Sequence, residues 1–172
     1  MTMGLFDKLF KGNEPAFTSV ETEAGALYAP IVGNYIPLDQ IPDEVFSQGI
    51  LGQGCGIEPE EGMVYAPLDG EITQIADTTH AVGITSAEGA EILIHVGMDT
   101  VEMNGVGFTP KVKVGDKVRC GQPLLAFDMD KIKSAGHPTA TAFVVTNSDD
   151  FAEIAVNAGK RYDKSGKIGT IR

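Results

Sequence analysis

The sequence predicts an all-β domain, a flattened antiparallel sandwich or barrel with a few short helical turns. Glycine and proline interrupt the chain at short intervals from Tyr28 onward, and brief β-branched runs lie between them. This spacing is typical of β-sandwiches and barrels. A second observation is an internal repeat, because Tyr28-Ala-Pro-Ile-Val-Gly33 recurs as Tyr65-Ala-Pro-Leu-Asp-Gly70. Two such copies indicate a duplicated supersecondary unit.

The elements can be placed along the chain. Residues 1–25 are expected to be a flexible tail and residues 26–172 a single domain. Apolar residues at helical spacing predict a weak amphipathic helix over residues 3–11, which could lie on a membrane surface. Strands are predicted where β-branched and aromatic residues cluster, at 31–32, 63–64, 92–96, 112–118, 124–127 and 143–146. Short helical turns are predicted near 43–46, 128–133 and 149–154.

Composition excludes several classes of protein. The 172 residues are 42% hydrophobic and 22% charged, which is ordinary for one soluble globular domain with its own core. No apolar run approaches the ~20 residues of a membrane span, and no signal peptide is evident. A net charge of −11 argues against nucleic acid. It favours a basic protein partner or serves solubility, and solubility alone would explain it. Cys55 and Cys120 are isolated, so two buried, reduced thiols in a cytoplasmic protein are expected.

Two of the three histidines lie at the outer ends of one predicted hairpin. His80 precedes a β-rich run, His95 ends the next run, and Glu88-Gly89 lies between them. With a two-residue loop, Val82 lies opposite His95 and His80 lies opposite Gly97. Both imidazoles then project from the same sheet face, about 7–8 Å apart at the backbone. A three-residue bulged loop would reverse this parity, because side chains alternate between the faces.

A pair of imidazoles suits two kinds of chemistry. One ring can act as a nucleophile while the other donates to an incoming anion, or both can ligate a metal such as zinc. The residues alone leave both interpretations open. A zinc peptidase would need a third protein ligand, and His137 is the remaining histidine. A lipoyl or biotinyl carrier is a further alternative, because residues 113–122 resemble a hairpin of such domains. Its modified residue would be Lys117 or Lys131.

The residues around His95 form a motif. Gly89-x-x-Ile92-Leu93-Ile94-His95-Val96-Gly97-Met98-x-Thr100-Val101 resembles the phosphorylation-site signature of the glucose-type IIA component of the bacterial phosphoenolpyruvate:sugar phosphotransferase system. Asp77-Thr78-Thr79-His80-Ala81 looks like the segment around the family's second active-site histidine. Ile41-Pro42-Asp43-Glu44-Val45-Phe46 is similar to the rim of its partner-docking face. The similarity extends from about residue 26 to residue 171.

This resemblance implies a phosphocarrier, a component of a phosphotransferase that supports sugar uptake and requires no cofactor. His95 would accept a phosphoryl group from the phosphohistidine of HPr, a small carrier protein. It would then pass the group to a cysteine of the IIB domain of a membrane sugar permease. His80 would stabilise the phosphoryl group, Thr78 would orient His80, and Gly97 would leave room beside the acceptor.

The same resemblance implies where the partners dock and where the protein works. The docking surface maps onto Asp43, Val45, Phe46, Leu93, Val96 and Asp99. Any zinc held by His80 and His95 would be adventitious. The protein would act in the cytoplasm, with residues 3–11 as a peripheral contact to the inner face of the membrane.

Overall fold

Short β-strands are the main regular structure in the part of the chain that the computed structural model describes, which comprises Phe17 and residues 20–172. Most of them span three to six residues, a usual length for globular proteins. They are β1 (Ala26–Tyr28), β2 (Gly33–Pro37), β3 (Gln53–Pro59), β4 (Met63–Tyr65), β5 (Gly70–Ile75), β6 (Ala81–Ser86), β7 (Glu91–His95), β8 (Phe108–Pro110), β9 (Lys117–Val118), β10 (Pro123–Phe127), β11 (Thr141–Val145), β12 (Ile154–Val156), β13 (Lys160–Tyr162) and β14 (Lys167–Ile171).

The strands form three antiparallel sheets. The largest has eight strands in the order β13-β2-β3-β11-β7-β6-β5-β9, and two smaller sheets have the orders β1-β14-β12 and β4-β10-β8. One cluster of buried side chains joins all three sheets. It includes Leu27, Tyr35, Ile57, Ile72, Ile94, Leu125, Phe143 and Ile168. Burial of this apolar surface is the main force that holds the layers together. The prediction of an all-β antiparallel sandwich is confirmed.

Within residues 20–172, helical structure is confined to short segments, as predicted. Helix α1 (Glu44–Ser47) and helix α2 (Met129–Ser134) each begin after an aspartate whose carboxylate accepts backbone N–H groups of the first turn. The predicted turn over 149–154 is only partly present, because a 3-10 turn covers Ser148–Asp150 and Ile154 already begins β12.

The predicted strand at 31–32 does not form, and the one predicted at 112–118 forms only at Lys117–Val118. Residues 31–32 lie in the bend between β1 and β2, where Ile31 is fully buried in the core. Residues 112–116 precede β9 in a turn in which Gly115, at φ +97°, donates its N–H to Ile72 O at 2.8 Å. The carboxylate of Asp116 accepts the N–H of Lys113 at 3.0 Å and closes that turn. Side-chain burial in one case and turn chemistry in the other override the β-branched composition.

The internal repeat occupies equivalent places in the fold. Tyr28 ends β1 and Tyr65 ends β4, and the repeat's final glycine begins the next strand in each copy. The two copies also bond to each other reciprocally. Tyr28 N donates to Pro67 O at 2.9 Å, and Tyr65 N donates to Pro30 O at 2.7 Å. The two copies of the repeat are therefore paired with each other in the fold by equivalent backbone hydrogen bonds.

The amino-terminal predictions lie largely outside the described residues, and the amphipathic segment 3–11 lies wholly outside them. Residues 20–25 contact the domain: Val20 N donates to Cys120 O at 3.3 Å, and Lys167 Nζ lies 2.9 Å from the Glu23 carboxylate. No helix within residues 20–172 is long and apolar enough to cross a membrane. Cys55 and Cys120 are buried free thiols.

Candidate functional site

The loop of the β6–β7 hairpin fixes the position of both histidines. It contains three residues rather than the predicted two. Ser86 N donates to Ala90 O at 2.9 Å, and Gly89 takes the left-handed conformation at φ +91°. A glycine in this conformation at the end of a three-residue loop is a common hairpin geometry.

The extra loop residue shifts the register by one. Ala81 lies opposite His95 and Val82 lies opposite Ile94, so the predicted Val82–His95 pairing is wrong. Strict alternation along β6 would then turn His80 toward the core with Val82, away from His95. His80 instead lies one residue before the strand, where the regular ladder has ended. The two imidazole rings meet edge to face, with centroids 4.7 Å apart.

The bend before His80 has an unusual backbone. Thr79 has a φ of +59°, a conformation that β-branched residues rarely adopt. Its hydroxyl donates to Thr78 O at 2.8 Å, and its N–H donates to Ala76 O at 2.8 Å. Strained backbone of this kind is concentrated at functional sites. Here it leads the chain into β6 with the His80 ring beside His95.

Each imidazole is held through its Nδ1 atom. His95 Nδ1 lies 2.9 Å from Gly97 O, and since a carbonyl can only accept, Nδ1 carries the proton. His80 Nδ1 lies 2.7 Å from Thr78 Oγ1. Neither Nε2 atom bonds to a described residue, and neither is a fully buried atom without a partner, although the His80 residue is only 6% exposed. The pair therefore has two ring nitrogens that no residue within 20–172 engages.

The surroundings keep the rings uncharged near neutral pH. Burial lowers the pKa of His95 to about 4, and the neighbouring His80 acts in the same direction. The hydrogen bond to Gly97 O and the negative charge of Asp43 oppose this shift. Burial also lowers the pKa of His80, against the opposing hydrogen bond at Thr78. A neutral imidazole with a free Nε2 lone pair is the nucleophilic form of histidine.

Gly97 is required where it stands. Its φ is +74°, and a Cβ atom built there would overlap Thr100 Cγ2 and lie 3.0 Å from Pro138 O. The neighbouring Met98 N donates to the same Pro138 carbonyl at 3.2 Å. The close approach of the segment that carries Pro138 thus holds the Gly97 carbonyl in position for the His95 ring.

The predicted docking residues do not all lie on the surface. Val45 is 44% exposed, and Asp99 is also exposed. Phe46 is largely buried, and its ring centroid lies 5.0 Å from that of His95. Leu93, two residues before His95 on β7, is partly exposed. Val96 is fully buried in the core cluster, because it follows His95 and projects from the opposite face of the sheet. It cannot contact a partner, and this part of the prediction is wrong.

The loop-like sequence of residues 134–141 predicts that His137 faces solvent, and the structure differs. Its side chain is only 12% exposed, and its Nε2 lies 3.8 Å from the Glu102 carboxylate. Its backbone N–H donates to Ile132 O at 3.1 Å, which continues the end of α2. The third histidine therefore belongs to the loop that supports Gly97 rather than to the imidazole pair.

Several residues near the pair have no role in the predicted site. Phe108 lies 6.4 Å from the His80 ring, and Thr100 Oγ1 donates to Val96 O at 2.6 Å. Val101 and Val106 are apolar yet 52% and 59% exposed. Apolar residues in a glycine-rich turn directly after the histidine motif are the signal that could have identified them.

The alternative chemistries find less support in this geometry. No group of three or more His, Cys, Asp or Glu side chains within residues 20–172 could hold a metal ion. His80 and His95 supply only two donors, fewer than a resident zinc site requires. Zinc bound adventitiously by the pair stays a prediction. Of the two lysines of the carrier alternative, Lys131 lies inside α2 and Lys117 lies in the edge strand β9.

Comparison with known proteins decides between these alternatives. The family model for the EIIA 1 component of the phosphoenolpyruvate-dependent sugar phosphotransferase system matches residues 25–151. The chain belongs to this EIIA family. Membership confirms the predicted resemblance to glucose-type IIA components and implies phosphoryl transfer in sugar uptake. It leaves no support for a lipoyl carrier or a zinc peptidase.

EIIA relatives match most of the chain. It is 43% identical to the glucose-specific EIIA component of Halalkalibacterium halodurans over 168 residues, 97% of this chain and 96% of the relative. The solved structure of glucose permease IIA from Mycoplasma capricolum superposes with a TM-score of 0.76 at 28% identity, covering 84% of this chain and 93% of that one.

Longer relatives contain the same EIIA region. The chain is 49% identical over 126 residues to the beta-glucoside-specific EIIBCA component of Bacillus subtilis, and 41% identical over 155 residues to that of Dickeya chrysanthemi. These matches cover 73% and 86% of this chain. The chain spans only 21% and 25% of the length of these two relatives.

Proposed function

We propose that His95 accepts a phosphoryl group from the phosphohistidine of HPr and passes it to a cysteine of the IIB domain of a sugar permease. One observation carries the proposal. The two imidazole rings lie with their centroids 4.7 Å apart, and each has its Nδ1 engaged, so that neither Nε2 has a partner among the described residues. One such atom can bond to phosphorus while the other holds a phosphoryl oxygen.

The proposed reaction transfers one phosphoryl group in two steps, and no other charged species is transferred with it. The lone pair of His95 Nε2 forms a bond to phosphorus, and the bond between phosphorus and the HPr imidazole breaks, returning its electron pair to that ring. In the second step the thiolate of the IIB cysteine attacks, and the electron pair of the phosphorus–nitrogen bond returns to His95. Such reactions depend mainly on positioning and on stabilisation of the oxygens.

His80 fits the stabilising role through its bond to Thr78. If the Thr78 hydroxyl donates to Nδ1 of His80, the proton of that neutral ring lies on Nε2. This N–H can then donate to a phosphoryl oxygen of the group on His95. A fixed donor aimed at developing charge is the usual means of stabilising phosphoryl and acyl transfer.

Charge and exposed apolar residues support protein partners. The net charge of −11, with Asp99 and Glu102 exposed beside the pair, would attract a basic donor protein such as HPr. Val45 and Val101 offer apolar contact around it. The names of the B. subtilis and Dickeya relatives combine an A component with B and C components, which supports IIB as the acceptor. We place this exchange in the cytoplasm, with residues 3–11 as a weak membrane contact.

Phosphorylation with purified components tests the proposal. The protein is incubated with phosphoenolpyruvate, enzyme I and HPr, and the modified residue is located by mass spectrometry under alkaline conditions that preserve phosphohistidine. We expect label on His95 and complete loss of label in H95Q. H137Q is the matched control and should be labelled like the wild type. Label that persists in H95Q would overturn the assignment.

A further inference from the structure

Asp43 lies at the edge of the imidazole pair, and its carboxylate caps a helix as well as carrying a negative charge. It is the residue before α1, and its Oδ1 atom accepts the N–H groups of Val45 at 2.9 Å and Phe46 at 3.4 Å. Its carbonyl accepts the N–H of Ser47 at 2.8 Å. Both side-chain bonds use the same oxygen, so Oδ2 takes no part in them and stays available to a partner's cation.

The helix that Asp43 caps is too short to persist by itself. Helix α1 has four residues, less than the length at which isolated helices become stable in water. Its shape therefore depends on its cap and on the packing of its one buried side chain, Phe46. Loss of the two Oδ1 bonds would free the backbone on both sides of that side chain.

Phe46 connects this cap to the reaction centre. Its side chain packs with Ile41, Met98 and Val144 in a second apolar cluster, separate from the main core. Its ring lies 5.0 Å from the His95 ring at an interplanar angle of 53°. His80 contacts His95 at 4.7 Å and 81°. The rings of Phe46 and His80 thus both limit the rotation of the His95 ring.

We infer that Asp43 is a positioning residue for phosphoryl transfer, because its cap on α1 holds the Phe46 ring against His95. The inference rests on the proposed function and adds that one carboxylate has two separate roles. Oδ1 sets the orientation of the acceptor through Phe46, and the remaining charge attracts the donor protein. An aspartate that served only as a docking charge would need no bond to either helix N–H.

Three substitutions separate the two tasks. D43N keeps an N-cap acceptor and removes the charge, since asparagine caps helices as well as aspartate does. D43E keeps the charge, but its longer side chain places the carboxylate out of cap geometry. D43A removes both. Thermal unfolding of each variant establishes that the domain remains folded, and S47A serves as a control on the same helix.

Transfer from phosphorylated HPr is then measured as a saturating rate and an HPr concentration at half saturation. For D43N we expect a several-fold higher half-saturation concentration and a saturating rate within twofold of the wild type. For D43E we expect the reverse, with the saturating rate lowered about threefold to tenfold. D43A should show both defects. A wild-type saturating rate in D43E, or identical behaviour of D43N and D43A, would overturn the inference.

A second measurement does not need HPr. Proton NMR reports the contact between the Phe46 and His95 rings as a nuclear Overhauser effect and as a ring-current shift of the His95 protons. Both signals should persist in D43N and weaken in D43E and D43A. If wild-type His95 takes no label, the proposed function fails, and the NMR comparison still decides whether Asp43 positions the ring. Unchanged ring signals in D43A would refute the positioning role even with His95 labelled.

Discussion

Thr78 and His80 form the shortest hydrogen bond at the imidazole pair, with 2.7 Å between Oγ1 and Nδ1. The two residues flank Thr79, whose φ of +59° bends the chain between them. The bond therefore spans a strained residue and fixes which nitrogen of His80 remains free. The orientation of the His80 ring is therefore set by the local backbone at Thr78 and Thr79, and not by the pairing of the sheet strands.

Loss of the Thr78 hydroxyl should impair transfer while leaving the fold intact. T78V removes the bond to Nδ1, so His80 can rotate and its Nε2 proton is no longer fixed. We expect phosphoryl transfer to the IIB domain to slow by about tenfold, a typical cost for a misaligned orienting group. T78S keeps the hydroxyl and should behave within about twofold of the wild type. Equal rates for T78V and T78S would show that the bond has no role in the reaction.

The two histidines should fail in different ways when each is replaced by glutamine. H95Q removes the nucleophile and should accept no label from HPr. H80Q should still accept the group, but its carboxamide is a weaker donor to the charge that develops in transfer. We expect its transfer to IIB to fall by about 100-fold, the usual cost of one stabilising donor. Single-turnover assays of each half-reaction make the measurement. Normal onward transfer by H80Q would contradict the donor role.

Crowding at Gly97 should make its substitution costly. G97A forces a side chain into left-handed backbone and into contact with Thr100 and Pro138. G89A has a similar positive φ, but no atom lies within 4 Å of its added Cβ. We expect G89A to lower the free energy of unfolding by about 1 kcal/mol and G97A by about 3 kcal/mol. Urea unfolding at neutral pH measures both, and equal losses would mean that crowding contributes nothing.

The lowered pKa of His95 predicts a pH-dependent stability. The folded pKa of about 4 lies below the usual value of 6.5, so the unfolded chain binds more protons between these limits. Stability from this group is complete above about pH 6.5 and is lost as the pH falls toward and through 4. The loss amounts to no more than about 3 kcal/mol.

Urea unfolding at pH 7 and at pH 4 makes this comparison. Because other groups also titrate, the difference between wild type and H95Q isolates the contribution of His95. After the lost packing is subtracted, the difference in free energy of unfolding between wild type and H95Q should become smaller as the pH rises toward neutral. H137Q should show the same pH dependence as the wild type. An NMR titration of the His95 ring with a midpoint near 6.5 would rule out the shift.

Sequence reasoning located the elements better than it located their register. The strands at 63–64, 92–96, 124–127 and 143–146 and the helix after Asp43 form close to the predicted positions. The hairpin loop was predicted one residue too short, because Glu88-Gly89 fits a two-residue turn as well as the end of a three-residue loop. Gly89 takes a positive φ in either loop, so the conformation of Glu88 distinguishes the two, and Glu88 has no positive φ here.

The rings of His80 and His95 are in contact although the predicted register of their hairpin is wrong. The sequence argument assumed that both residues belong to one regular ladder. In the structure His80 lies before β6, and the bend at Thr79 brings its ring to His95. Residues that surround a site from other parts of the chain, such as Phe108, are brought there by tertiary packing, which no local pattern reports. The burial of Val96 does follow from alternation along β7.

The reciprocal bonds between the two copies of the repeat have a consequence for how this chain reaches its native state. Tyr28 N needs the Pro67 carbonyl, and Tyr65 N needs the Pro30 carbonyl, so neither bend is complete without the other. A fragment that ends between the two copies lacks the partners of these backbone hydrogen bonds, so it should stay unfolded. The chain between the two copies must close as a loop before the burial of apolar side chains can stabilise the fold. This order favours slow folding of the whole domain as one cooperative unit.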